Sequence, residues 1–274
     1  MDKSVLKKAG GISRDREYSL DNENEVDRLE FQATIPFYNP KKEIQKLKLP
    51  DNSTFLDAGC GSGIISRYIS NKFQLVSVDA CDISKTRLLQ AQTLNNHNNK
   101  VNFFHSSLEK IKSPQDKYDF IFCRFVLEHM INPQNAVNEF FRINKLNGRV
   151  LLIDLDGIFF NLYSNNKELN KTLHLLKREF DFDLFIGRKL PLLLSKAGYK
   201  NIKYKVEVMY FKGRNLKLEY QNYLLRFKFI EDILVNILGN TSKTNDFIDL
   251  YLKELLKSEN TLFYNKFIVS GNKK

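Results

Sequence analysis

The sequence predicts an α/β fold, a mostly parallel sheet of seven strands with helices on both faces. Three observations carry this expectation. From residue 53 to residue 154, short β-rich runs alternate with segments of helical periodicity, the pattern of repeated βαβ units. The fourth run, YDFIFC, is almost wholly apolar, as a strand buried on both faces should be. The glycines and acids that stand out gather at the carboxyl ends of these runs, where open parallel sheets bind ligands.

The elements follow in order. Residues 23–32 form an amphipathic helix within a polar, helical segment spanning 1–48, read as a lid or cover that precedes the domain. The first strand is residues 54–58, ending at a glycine-rich turn. A helix over 64–71 follows, with Ile64, Ile65, Tyr68 and Ile69 at helical spacing. Residues 75–81 form the second strand. The helix over 84–94 places Leu88, Ala91 and Leu94 on one side. The third and fourth strands are residues 101–105 and 118–123. A helix over 135–144 and a turn at Asn147-Gly148 lead to the fifth strand, 149–154. Beyond it come helices over 167–180 and 188–196, the latter stopped by Gly198 as a left-handed cap. A strand over 202–211 precedes a long helix over 216–238, whose Leu216, Tyr220, Tyr223, Leu224, Phe227, Ile230 and Leu234 follow the 3.6-residue period. A helix over 246–256 and a last strand over 263–269 complete the chain. Residues 49–274 are read as one domain, with a helical insertion at about 212–260 before the last strand.

Composition bounds the function. With 42% apolar and 27% charged residues in 274, the chain is neither collagen-like nor disordered and is long enough to bury a core. The formal charge of +11 invites a polyanionic partner. The excess is spread, however: one charge over residues 1–48, four over 49–199 and six over 200–274, with no dense basic block. A compositional preference for lysine accounts for it, and nucleic acid is not the expected partner. Three cysteines, Cys60, Cys81 and Cys123, lie in or beside apolar runs without metal-ligand spacing, so no metal site is expected. No stretch reaches the roughly 20 apolar residues of a membrane span. The expectation is a reduced, cytoplasmic protein of open oligomeric state.

The chemistry should sit after the first strand, in Asp57-Ala58-Gly59-Cys60-Gly61-Ser62-Gly63. Glycines at alternate positions permit a tight turn and close backbone approach to a ligand, with a helix N-terminus behind them. The GxGxG spacing differs from the GxGxxG of pyrophosphate-binding turns, which excludes a nicotinamide oxidoreductase. Asp82 follows Gly63 at the distance where a carboxylate accepts hydrogen bonds from both hydroxyls of a ribose. Asp79 falls inside the strand.

Residues 54–63 (TFLDAGCGSG), 78–91 (VDACDISKTRLLQA), 118–129 (YDFIFCRFVLEH) and 145–154 (KLNGRVLLID) resemble, in this order, the motifs of the class I S-adenosylmethionine-dependent methyltransferases. The resemblance covers roughly residues 50–155, with weaker likeness around 17–20, 28–32, 187–190 and 197–199. It implies a Rossmann-like sheet and S-adenosyl-L-methionine as cofactor. It implies further that the Gly59, Cys60, Gly61 and Gly63 turn lies against the amino acid and ribose portion, and that Asp57 accepts from the ammonium group. Asp82 would hold the ribose diol and Ile83 would pack on the adenine. Ser106, Ser107 and Leu108 stand where this family often places an adenine-binding aspartate. On this resemblance Ser107 would accept from the adenine amino group, more weakly than an aspartate, or the Leu108 N–H would bind a ring nitrogen. Arg124 and Phe125 would lie beside the methionine portion, with Tyr18 and Gln32 closing over the cofactor.

Methyl transfer from a sulfonium is a direct displacement, so a base matters only for a nucleophile that carries a proton at neutral pH. His129 is the candidate base, or else a histidine that shapes its loop or touches cofactor. Asp154 and Asp156 either face the same crevice, as base or amine ligand, or cap the following segment. His97, His105 and His174 read as surface or structural. The leading expectation is methylation of a small-molecule acceptor, with the aromatic insertion (Tyr220, Tyr223, Phe227, Phe229, Phe247, Tyr251) lining its pocket. The alternatives are an RNA or DNA methyltransferase and a non-catalytic cofactor- or partner-binding domain. Arg124-Phe125-Val126-Leu127 stands where base-modifying relatives carry an Asn/Asp-Pro-Pro-aromatic turn, and no Pro-Cys pair is present.

Overall fold

The computed structural model describes residues 25–73, 76–95 and 100–274. Its centre is a mixed sheet whose first five strands run parallel. These are β1 (Thr54–Ala58), β2 (Ser77–Asp82), β3 (Val101–His105), β4 (Tyr118–Arg124) and β5 (Asn144–Asp156), in the spatial order β3-β2-β1-β4-β5. Strand order reverses between β1 and β4, and a crevice therefore opens beyond their carboxyl ends. A long antiparallel strand, β8 (Thr261–Asn272), pairs with β5 along Arg149–Asp156. On its other side β8 pairs with β7 (Lys200–Phe211).

Alternation along the central strands sorts side chains between two cores. In β4 and β5, Phe120, Phe122, Leu151 and Ile153 face one way, packing with Phe55 of β1. They meet Ile44 of α2 (Lys41–Gln45), Ile65 and Ile69 of α3 (Ile64–Lys72) and Leu88 of α4 (Lys85–Leu94). Ile121, Cys123, Val150 and Leu152 face the other way with Leu56. They meet Val137 and Phe140 of α5 (Pro133–Ile143) and Leu190 and Leu194 of α7 (Leu190–Ala197). The period of two in each strand thus produces the helices on both faces. Local signals bound the helices as expected. Ser84 Oγ accepts from the Arg87 N–H at the start of α4, and Gly198, at φ 102°, closes α7.

A third core lies beyond the carboxyl edge. It joins Ile35 and Tyr38, which follow α1 (Glu25–Thr34), to α6 (Lys167–Glu179) and to three helices inserted between β7 and β8. These are α8 (Arg214–Phe229), α9 (Glu231–Leu238) and α10 (Thr241–Leu255).

The structure corrects the sequence reading in three places. An eighth strand, β6 (Leu162–Tyr163), pairs with Leu262 and Thr261 of β8, and two residues are too few to show a period. The helix expected over 216–238 breaks at Ile230, where Glu231 and Asp232 open a new helix with acids in its first turn. The Asn147-Gly148 turn does not precede the fifth strand but lies within it. Asn147 takes φ 65°, and the pairing with β4 slips between Tyr118 and Phe120. A turn signal inside a strand is read here as a bulge.

Candidate active site

One cavity runs along the carboxyl edge from β2 to the inserted helices. Its first half is built from β1, β2 and the turns after them. The glycine turn is held down by its own backbone: the N–H groups of Gly59 and Cys60 both donate to the Cys81 carbonyl, at 2.8 and 3.0 Å. Gly59 takes φ 77°, and a Cβ there would stand 2.6 Å from Cγ2 of Val126. Only glycine meets both demands, conformation and room. The turn therefore presents a bare backbone to the cavity.

Asp82 closes this turn from the β2 side. Its Oδ2 accepts from the Gly61 N–H at 2.9 Å and its Oδ1 from the Ser84 N–H at 2.9 Å. Each carboxylate oxygen keeps a second lone pair, and the side chain lines the cavity. Asp57, at the end of β1, is buried and accepts from Ser66 Oγ at 2.5 Å. Burial pushes its carboxyl up to about 7, against that hydrogen bond. A buried acid so poised gains from a cationic partner. A diol ligand at Asp82 and an ammonium at Asp57 match the ribose and the amino acid end of S-adenosylmethionine, and Ile83 and Leu108 add apolar wall to the cavity. The residues present fit the cofactor.

α1 covers this half. Glu25, Arg28, Leu29 and Gln32 line the cavity. Glu30 fastens the helix to the glycine turn, accepting from Ser62 Oγ and Arg67 Nη2, both at 2.8 Å. Arg124 Nη2 donates to the Tyr38 carbonyl, joining the end of β4 to the chain after α1. Phe125 follows at φ 57°, an unusual conformation for an aromatic residue. It is pinned there by its N–H, which donates to the Ile153 carbonyl at 2.9 Å.

The second half is walled by Phe125, Ile158, Phe159, Phe180, Phe182, Leu184, Phe229 and Ile230. Polar side chains line it as well, with Arg28 and Arg87 close to His129. Glu128 and His129 stand on a single 3-10 turn, Leu127–His129, and Arg226 comes from α8. Glu219 lies 3.5 Å behind Arg226 Nη1 and is itself held by Tyr38, Tyr264 and Asn222. Burial, and then the charges of Arg87, Arg28 and Arg226, push the His129 imidazole down to about 3, so it is neutral. Burial pushes Glu128 up to about 7, against the pull of Arg226 and Arg28.

The sequence-derived candidates divide accordingly. Gln32, Asp57, Gly59, Cys60, Gly61, Asp82, Ile83, Ser107, Leu108, Arg124, Phe125 and His129 all line the cavity. Tyr18 and His97 lie outside the described residues, as do residues 1–24 of the expected cover. Gly63 does not line the cavity; it starts α3 in a left-handed conformation over Ala91 and Phe103. Ser106 is turned into its own loop, where Oγ accepts from the Lys112 N–H at 3.0 Å. Asp154 does not face the crevice either. Its carboxylate accepts from the N–H groups of Leu127 and Leu155, at 3.1 and 2.9 Å, so it supports the 3-10 turn. Asp156 is buried and forked by Arg188, at 2.7 and 2.6 Å. Of the six insertion aromatics only Phe229 reaches the cavity. Tyr223, Phe227, Phe247 and Tyr251 are core, and Tyr220 packs against it.

Sequence reasoning missed Glu128, Arg28 and Arg226. Glu128 was overshadowed by its neighbour His129. Arg226 carried a readable signal, a lone cation at helical spacing between Tyr223 and Ile230 on an apolar face.

Residues 31–204, more than half of the chain, match the model of a methyltransferase domain family. The chain belongs to the class I S-adenosylmethionine-dependent methyltransferases. The cofactor of this methyltransferase is S-adenosyl-L-methionine, in keeping with the Asp57 and Asp82 geometry. The methyltransferase is 30% identical over 161 residues to a ubiquinone biosynthesis O-methyltransferase of Rickettsia akari, covering 56% of this chain and 59% of that one. It is 29% identical over 119 residues to a malonyl-[acyl-carrier protein] O-methyltransferase of Ilyobacter polytropus, covering 43% and 46%. The chain thus spans about half the length of these curated relatives. In fold it is similar to a Haemonchus contortus phosphoethanolamine N-methyltransferase solved with S-adenosyl-L-methionine. The TM-score is 0.61 at 18% identity, over 96% of this chain and 60% of that one.

Proposed function

We propose that this methyltransferase moves a methyl group from S-adenosylmethionine to an oxygen atom of a small acceptor with an apolar body. The observation that carries the reading is the continuity of the cavity: Asp57 and Asp82 line one end, and the aromatic chamber with Glu128, His129 and Arg226 lines the other. The cofactor supplies a methyl carbon already activated by a sulfonium. The chain's own work is to hold the acceptor in line with it and exclude water, which is the task of the phenylalanine walls. Oxygen is favoured as the nucleophile because both curated relatives described above are named O-methyltransferases. Residues 1–48 and the insertion at about 212–260 would form the cover over cofactor and acceptor respectively, around a domain of residues 49–274. The three cysteines are free and buried, which suits a cytoplasmic site of action.

Calorimetry of S-adenosylmethionine or S-adenosylhomocysteine on the purified full chain tests the reading. Binding is expected, and Asp82→Ala should weaken it roughly a hundredfold or more, since two charge-assisted hydrogen bonds are lost. No binding to the wild type would overturn it.

A further inference from the structure

The acceptor chamber contains polar atoms that the protein itself leaves unanswered. Glu128 Oε2 and His129 Nδ1 are buried and have no hydrogen-bond partner among the described residues, and Arg226, whose Nη1 faces Glu219 at 3.5 Å, lines the same cavity. Glu128 and Arg226 are each only 6% exposed. A buried carboxylate oxygen without a partner is costly, so a cavity lined by that carboxylate and a guanidinium calls for a ligand that answers both. Arg226 donates only. Ionised Glu128 accepts only. A hydroxyl meets both needs, since its oxygen accepts from Arg226 while its hydrogen is given to Glu128. The walls of Phe159, Phe180, Phe182 and Phe229 suit an aromatic ring carrying that hydroxyl.

We propose that Glu128, not His129, is the base that takes the acceptor's proton, and that the acceptor is a phenol whose developing oxyanion is held by Arg226. This assignment rests on the reading of the chain as an oxygen methyltransferase. The phenolic proton passes to the Glu128 carboxylate and the oxygen forms a bond to the methyl carbon. The methyl–sulfur bond breaks with its electron pair left on sulfur, and the proton is later released to solvent.

Charge separates the two neighbours on the turn. Arg28, Arg87 and Arg226 act together against a positive charge on His129. Arg226 and Arg28 favour a negative charge on Glu128, and of the acids near it Asp183, in the connection after α6, opposes one. Asp154 of β5 lies behind the same turn, and its own carboxyl is raised well above the usual range by burial and by Glu128. His129 Nε2 sits 3.5 Å from Glu128 Oε1, and its ring meets the Phe182 ring edge-on. It borders the Oε1 oxygen of that carboxylate. The Glu128 main chain is fixed as well, its carbonyl accepting from the Asp183 N–H at 2.9 Å.

Two probes of similar shape and different acidity test this, 4-methylphenol and 4-nitrophenol, with labelled S-adenosylmethionine at a mildly alkaline pH. The first keeps its proton there and needs a base; the second has lost it. Glu128→Gln should lower turnover of 4-methylphenol roughly a hundredfold and that of 4-nitrophenol about threefold or less. His129→Gln should show no such split. Titration of 4-methylphenol into the S-adenosylhomocysteine-loaded protein gives a readout apart from turnover. Its affinity should rise with pH as Glu128 ionises in the wild type and stay flat in Glu128→Gln. Equal losses on both probes, or a split confined to His129→Gln, would overturn the assignment. So would wild-type protein that binds S-adenosylhomocysteine but methylates neither phenol. Failure to bind S-adenosylhomocysteine at all would instead overturn the methyltransferase reading beneath it.

Discussion

The two ends of the cavity are built on opposite principles. At the cofactor end the important carboxylates already have partners: Asp82 is held by two backbone N–H groups and Asp57 by Ser66. These bonds fix the side chains before any ligand arrives and leave lone pairs on the carboxylate oxygens to spare. At the acceptor end Glu128 and His129 each keep a polar atom without a hydrogen-bond partner among the described residues, beside Arg226. The first end is preorganised by its own fold, and the second is completed by what enters it. A cofactor common to a whole family can be met by a rigid cradle, whereas acceptor choice depends on which ligand satisfies the orphaned groups.

The strongest way to break this comparison is to disturb the cradle. Gly59→Ala sets a Cβ against Val126 and strains the backbone at φ 77°. It should cost roughly 2–5 kcal/mol of stability while removing cofactor binding. Denaturant unfolding and calorimetry measure the two effects. A variant as stable as the parent and still binding would show that the turn is not rigid. Pairing it with Val126→Ala should return only part of the loss, because the conformational strain remains.

A subtler test uses pH. Asp57 has its folded pKa raised by burial to about 7, so the fold favours its protonated form. This group's contribution to stability is therefore greatest below its unfolded pKa and fades as pH rises through about 7. Binding of an ammonium group runs the other way and needs the ionised carboxylate. Cofactor affinity should fall as pH drops below about 7, approaching roughly tenfold per unit, and Asp57→Asn should flatten that slope. A slope unchanged in the variant would remove Asp57 from ammonium binding.

The smallest effect is expected at the rim. Glu30→Ala unties α1 from the glycine turn, but the Glu30–Arg67 pair is partly exposed and screened. Cofactor affinity should weaken only about two- to fivefold, chiefly through faster release in stopped-flow traces. A hundredfold loss would mean that the cradle is not preorganised and depends on its cover.

The legible parts of the chain were those governed by local rules. β1 and β4 were readable because a buried parallel strand is apolar along its length, and Gly59 and Asp82 because a tight turn and a strand-end acid leave marks in short stretches. Asp154 could not be placed in that way. Strand alternation and position at the end of β5 do not reveal that Leu127, 27 residues earlier, offers its N–H to the carboxylate. Glu128 could not be ranked above His129 for a similar reason. Their difference comes from burial, and then from Arg28 and Arg226 beside both and Arg87 beside His129, brought together from α1, α8 and α4.

The sequence by itself determined the sheet and its glycine turn, the family and the cofactor, since each depends on contiguous residues or on a period within one element. Only the tertiary structure decided the acceptor chamber. Its walls and its polar atoms come from segments far apart in the chain, from the turn that carries Glu128 to the helix that carries Arg226. Burial and neighbouring charge, which set what those atoms can do, exist only once the segments have met.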